Sequence, residues 1–357
     1  SYAWLDQSKI AKSLRTGMQF IIDLPAERRD ELKWVLDTLL RSRLGLEFTI
    51  TDKASSYPTI NADGKTLKLN NTFFDGAKGS SWLTERSLPQ VPLKDWLISN
   101  SPLSPKVKHD SIPILFGQEG FEFDGKQNGS LLLDVLGSAF FMLSRYEELV
   151  HEERDKFHRF PSDKGIAVKA SFHTRPIIDE YCEILWASLK FNWPEIKRHK
   201  VEAQTKMSCD VDAPLQDAVF SNLRMSSQWL RAKVCTTNKR ELRRKQLDIS
   251  IKGRRGNWDK DPFNSFDSLM DLAESNARKI TFYFLSNKQR HWKHGWYRLE
   301  HPFIRDLLQK IDKRGHMIAL HGSFDTFKTP FALEGQRKYL EKTCATLGIK
   351  KTITHNR

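Results

Sequence analysis

Two polar motifs close apolar runs in this chain. Cys209-Asp210-Val211-Asp212 follows Thr205-Lys206-Met207-Ser208, and His321-Gly322-Ser323-Phe324-Asp325 follows the run from Gly315 to Leu320. His321 lies 109 positions after Asp212. Carboxylates and an imidazole at the ends of two buried strands can converge on one divalent ion. A hydrolase built that way needs fixed ligands, an open coordination position for water, and a base for that water's proton. Two aspartates at i and i+2 can divide the work, one facing the metal and one beside the water. His321 would add a nitrogen ligand, and Asp325 would reach the same ion if a helical turn follows. Asp, His and Asp form a harder, more oxygen-rich set than the common zinc sites; zinc is still the expected ion, and manganese, cobalt or another divalent ion would fit too. Asp-x-Asp is common at strand ends in sugar- and nucleotide-handling proteins, and Asp325 could equally cap a turn. His316 is expected to lie buried and hydrogen-bonded along its strand. His291 and His294 flank Trp292 near Trp296, a cluster that reads either as a surface loop or as a sugar-stacking surface.

These side chains need strands and helices to hold them. After about residue 203 the pattern alternates, with strands expected at 205–211, 279–285, 316–320 and 352–355 and helices at 266–277, 302–313 and 333–347. Short apolar strands separated by helices indicate parallel βαβ units, with a site at the strands' C-terminal ends. Asp210, Asp212, His321 and Ser286 fall there. Upstream, residues 1–200 read as an N-terminal mixed α/β domain of unknown role. A strand at 20–22 leads to a helix opened by Pro25 and closed by Gly45. Strands follow at 47–50 and 66–69 about the turn Asp63-Gly64, and residues 72–128 read mostly as loop with short strands. Helices are expected at 131–150 and 176–189, and Asn192-Trp193-Pro194-Glu195 is the linker candidate. The clusters 144–148 and 155–160 could form a site, but arginines and acids so spaced more often pair with each other to pin a loop.

Length and composition fit two soluble globular domains: 357 residues, 39% hydrophobic and 29% charged. No apolar run is long enough to span a bilayer and no signal peptide is visible, which points to the cytoplasm. Cys182, Cys209, Cys235 and Cys344 match neither a zinc spacing nor a disulfide framework. The net charge of +14 is uneven: residues 224–260 hold twelve Lys or Arg against three acids. Such a strip is usually a solvated helix face. It could also attract phosphates or an acidic polysaccharide. No nucleic-acid module accompanies it, so nucleic acid is the lesser option.

The stretch from Thr205 to Pro214, with Asp210-Val211-Asp212-Ala213-Pro214, resembles the first motif of the polysaccharide deacetylase superfamily (carbohydrate esterase family 4 and its relatives). Asp261-Pro262-Phe263, Phe266 to Met270 and Thr281 to Phe284 resemble its second strand region. Tyr297, His301-Pro302, Arg305 and Gly315 to Ser323 resemble its second motif. Leu143 to Glu148 and His158-Arg159-Phe160 resemble an unassigned domain that precedes this barrel in a bacterial subgroup. The resemblance implies a distorted (β/α)7 barrel, present here in its N-terminal part over residues 204–357. It implies a metal-dependent hydrolase that removes acetyl from N- or O-acetylated sugars of surface polysaccharides. Asp210 would be the catalytic base, Asp212 and His321 metal ligands, and Asp325 stands where the family has a second histidine. Trp292, Trp296 and Arg357 are the candidate substrate contacts, and the expected partner is an acetylated poly- or oligosaccharide, acidic or neutral. The chain stops at Arg357, where the family's third motif should begin, so a fragment is expected. The rival reading is a non-catalytic carbohydrate-binding relative with a basic, Trp-rich surface.

Overall fold

The computed structural model describes residues 18–126, 128–198, 205–235, 239–286, 295–324, 326, 329–350 and 353. The chain divides into two compact units, Ser1–Glu202 and Ala203–Arg357. Each has its own apolar core among the described residues. Both are mixed α/β.

The first unit is built on a six-stranded sheet in the order β2-β1-β3-β4-β8-β7, formed by β1 (Phe20–Leu24), β2 (Phe48–Ala54), β3 (Thr59–Ala62), β4 (Lys65–Leu69), β7 (Gly117–Phe123) and β8 (Asn128–Leu133). A separate two-stranded ribbon joins β5 (Lys94–Leu97) to β6 (Ser111–Ile114). Asp63-Gly64 turns a hairpin between β3 and β4, whereas β2 leaves the hairpin and pairs in parallel with β1. Helix α1 (Arg29–Leu36) starts four residues after Pro25 and continues as a π-helix, Asp37–Leu44. The expected stop is present: Gly45 takes φ 67, and the amides of Gly45 and Leu46 return to the carbonyls of Arg41 and Leu40.

Two expectations are corrected in this unit. The helix expected over 131–150 begins as strand β8 and becomes helical only in α2 (Val135–Leu143). Leu131 and Leu133 are buried on one face of the strand, and Arg145 at φ 57 ends the helical run. The linker expected at 192–195 begins in the core: Asn192 and Trp193 are buried, and Pro194 and Glu195 are exposed. Helix α3 (Ile177–Asn192) runs directly into Trp193, which is 2% exposed, packs edge-on to Phe20 at 5.3 Å, and donates its indole N–H to the Ala62 carbonyl at 3.0 Å. The clusters at 144–160 pin their own loop: Arg145 pairs with Glu148, Arg159 with Asp155, and Glu147 accepts the Ile166 amide.

Asp134 fixes the junction between β8 and α2. Its two carboxylate oxygens accept the amides of Gly137 and Phe73, both at 2.7 Å, capping the helix and tying in the turn Thr72–Gly76. Burial nonetheless dominates these bonds and pushes the carboxyl up to about 7. The folded unit therefore holds a proton that the unfolded chain releases near its ordinary value. Asp134 contributes fully to stability below pH ~4, and the contribution is lost as pH rises through about 7. Wild type is expected to show stronger hydrogen-exchange protection of 20–194 at pH 5 than at pH 8, after correction for intrinsic rates. Asp134→Asn should lose most of that difference; an unchanged pH profile would refute the assignment.

In the second unit three parallel strands lie in the order β11-β10-β9: β9 (Met207–Val211), β10 (Ile280–Leu285) and β11 (Met317–His321). Central β10 is nearly continuously apolar and buried, as a strand covered on both faces must be. Between β9 and β10 run α4 (Asn222–Val234), α5 (Arg240–Arg254) and α6 (Phe266–Ser275); α7 (Pro302–Lys313) precedes β11 and α8 (Pro330–Thr346) follows it. Pro302 starts α7 in the first-turn position proline favours, and Phe303, Ile304, Leu307, Leu308 and Ile311 form its buried stripe. The strand expected at 352–355 lies outside the described residues, apart from Ile353. Among the described residues no helix is long and apolar enough to cross a membrane.

Candidate active site

The register of the parallel sheet brings the two motifs together. Val211 pairs with Phe284 on one side of β10, and His321 pairs with Leu285 on the other. Asp212 and His321 therefore emerge at the same C-terminal edge, on strands separated only by β10. Their side chains meet across it. His321 Nε2 lies 3.8 Å from Asp210 Oδ2 and 3.8 Å from Asp212 Oδ1. The side chains of His321 and Asp210 are 22% and 29% exposed, and Asp212 at 65% stands at the rim.

The other imidazole nitrogen fixes the chemistry of this one. His321 Nδ1 lies 3.0 Å from the Gly322 carbonyl, which can only accept a hydrogen bond. Nδ1 therefore carries a proton, and Nε2 is the nitrogen turned toward the two carboxylates. Among the described residues no three His, Cys, Asp or Glu side chains stand as a ready-made metal-ligand group. Bonds of zinc length imply a ligand–ligand edge of about 3.4 Å in a tetrahedral site, so the 3.8 Å separations close with shifts of a few tenths of an ångström. One nitrogen and two carboxylates on one edge suit a divalent cation. Burial first, then the charges of Asp210 and Asp212, push the Cys209 thiol above its ordinary range.

Buried polar residues hold the strand ends. The Tyr297 hydroxyl donates to the Val211 carbonyl at 2.7 Å and accepts the Leu285 amide at 2.8 Å, tying β9 to β10 between the two aspartates and the histidine. Burial pushes its phenol well above the ordinary tyrosine range, so it remains a donor. Gln336 on α8 accepts the Ser323 amide at 3.0 Å and donates to the Ser323 hydroxyl, and its carbonyl accepts from Ser286 at 2.8 Å. The ends of β10 and β11 are thus pinned to one helix. Gly295 is required by contact: a Cβ there would lie 1.6 Å from the Asp212 carbonyl oxygen. Periodicity gave no warning of Gln336 or Gly295, because both act through contacts distant in sequence.

His316 is structural, as expected. It is fully buried just before β11, accepts the Ile280 amide on Nδ1 and meets Glu274 through Nε2 at 3.1 Å. That places it at the opposite end of the sheet from Asp210. Trp296 lies half-buried next to Gly295, with the Arg224 guanidinium over its ring at 5.3 Å from the centroid. Asp325, Trp292 and Arg357 lie outside the described residues, as do His291 and His294.

Tyr297→Phe should destabilise the second unit by about 1–3 kcal/mol, because it leaves a buried amide and carbonyl without their partner. A melt of the full chain with hydrogen exchange over 205–350 measures this; unchanged protection at Leu285 would contradict the role given to the hydroxyl.

Residues 20–194 match the model of a family of unknown function, DUF7033. That match stops short of Asp210, Asp212 and His321, and it supplies no activity. No curated protein and no solved structure matches the chain.

Proposed function

We propose that the second unit is a metal-dependent hydrolase that removes acetyl groups from an acetylated sugar or polysaccharide, at an amide or ester bond. The observation that carries this reading is the approach of His321 Nε2 to both Asp210 and Asp212 at 3.8 Å. In this reading Asp212 and His321 hold one divalent ion, zinc before manganese or cobalt, and Asp325 is a further candidate ligand. When bound, the ion supplies Lewis-acid polarisation of the acetyl carbonyl and a more acidic attacking water.

The chain's own residues do the rest. Asp210, recessed at the strand end, accepts the proton of the attacking water as general base. Asp212 stays at the rim, open to substrate. With Nδ1 held by the Gly322 carbonyl, Nε2 is the nitrogen His321 offers to the ion. Tyr297 and Gln336 keep the three side chains at one level. The three parallel strands are, in this proposal, the opening strands of a (β/α)7 barrel, and the solvated edge beyond Asp212 receives the glycan.

Acetate release tests the proposal. The full chain, supplied with zinc or manganese, is expected to release acetate from at least one member of a panel of N- and O-acetylated oligosaccharides. Binding of those sugars with no acetate released would favour the non-catalytic carbohydrate-binding alternative.

A further inference from the structure

The basic strip does not simply face solvent. A cleft of about 320 Å³ opens among α4, α5 and the segment after β9, and Ala213, the neighbour of Asp212, lines it. Arg224, Arg231 and Arg243 also line it, against the single carboxylate of Asp217. Among the described residues none of these arginines salt-bridges a carboxylate. Arg224 lies over Trp296 and Arg243 reaches the Arg231 carbonyl at 3.5 Å. Burial raises the Asp217 carboxyl, offset in part by the charge of Arg224. The surplus of positive charge sits beside the candidate active site.

A second observation points to a ligand. Gln216 lines the same cleft and is 8% exposed. Its Oε1 accepts from Gln228 Nε2 at 3.2 Å, leaving Gln216 Nε2 and Gln228 Oε1 buried without partners among the described residues. A buried amide donor without a partner is costly unless something else accepts its hydrogen. Arginine forks and an amide N–H together recognise an oxyanion, by charge and by directed donors. The remaining walls mix polar Ser227 and Gln246 with apolar Ala218 and Phe263, a surface that suits the hydroxyls and the faces of a sugar ring.

We infer that this cleft binds the anionic group of an acidic sugar, a carboxylate or a phosphate ester, beside the acetyl-bearing position. The sugar in this statement rests on the deacetylase reading; the preference for an anion does not. The edge beyond Asp212 and the cleft lined by Ala213 then take neighbouring parts of one substrate, and negative charge would set both affinity and register.

Isothermal titration of the full chain at low salt tests this with defined probes. Trigalacturonate is compared with maltotriose, and glucose 6-phosphate with glucose, to separate carboxylate from phosphate recognition. At least one anionic probe should bind about 10-fold or more tightly than its neutral partner, with affinity falling as salt rises. Arg243→Gln should remove most of that preference. Arg244→Gln loses the same charge on the exposed neighbour outside the cleft and should cost less than about 2-fold. Gln216→Leu keeps the volume and removes the unpartnered amide, so it should weaken the anionic probe without unfolding the unit. Equal affinity for anionic and neutral probes, or equal losses in Arg243→Gln and Arg244→Gln, would overturn the assignment. So would tighter binding of a thymidine trinucleotide than of either acidic sugar. Acetate release is scored separately. An intact anion preference with no release sinks only the deacetylase reading, and release without any preference sinks only the cleft.

Discussion

Asp210→Asn is expected to lower acetate release by about 10²–10⁴-fold, the range for loss of a positioned general base. Asparagine keeps the size and one acceptor oxygen of aspartate but cannot take up the proton of the attacking water. The recessed position of Asp210, 29% exposed and 3.8 Å from His321, leaves no other carboxylate but Asp212 near the imidazole among the described residues. Asp212 cannot substitute if it is committed to the cation. The expected signature is a fall in kcat with little change in substrate binding or metal content, because the ligand pair Asp212–His321 is untouched. Release near the wild-type rate in Asp210→Asn would remove Asp210 from the chemistry.

Trp193→Ala should be the most damaging core substitution in the first unit, at about 3–5 kcal/mol for truncating a large buried aromatic. The indole fills space against Phe20 of β1 and ties the chain after α3 to Ala62 of β3. Its removal therefore loosens two strands at once. Trp193→Phe keeps much of the volume and loses the hydrogen bond to Ala62, so a smaller cost is expected. Denaturant titration reads this directly, as loss of the 20–194 transition with the 205–350 transition retained. An alanine variant as stable as wild type would restore the linker reading of residues 192–195.

Much of the second unit was legible because its local signals agree. The apolar run of β10, the proline at the start of α7 and the stripe Phe303–Ile304–Leu307–Leu308–Ile311 each allow one reading. The convergence of Asp212 and His321 followed from one physical rule: parallel strands deliver their C-terminal residues to a common edge. Sequence failed where two periods overlap. Leu132, Val135, Leu136 and Ala139 keep helical spacing while Leu131 and Leu133 alternate as a strand, and Asp134 was the missed signal, an N-cap immediately before an apolar run. The π-helical turns at Asp37–Leu44 are invisible to a search at 3.6 residues per turn. Trp193 looked like a linker residue because proline and polar residues surround it, and its burial depends on a groove made by β1 and β3. The cleft was equally hidden. The charge count located the basic strip, but only the placement of α4 and α5 turns Arg231 and Arg243 toward Gln216.

Metal content of the full chain, purified without chelator and then equilibrated with zinc, tests most directly whether Asp212 and His321 hold one cation beside Asp210. About one equivalent of tightly held ion is predicted for wild type and for Asp210→Asn, with marked loss in Asp212→Ala and in His321→Ala. Stoichiometry near zero in wild type, or an equivalent that survives both substitutions, would contradict the account.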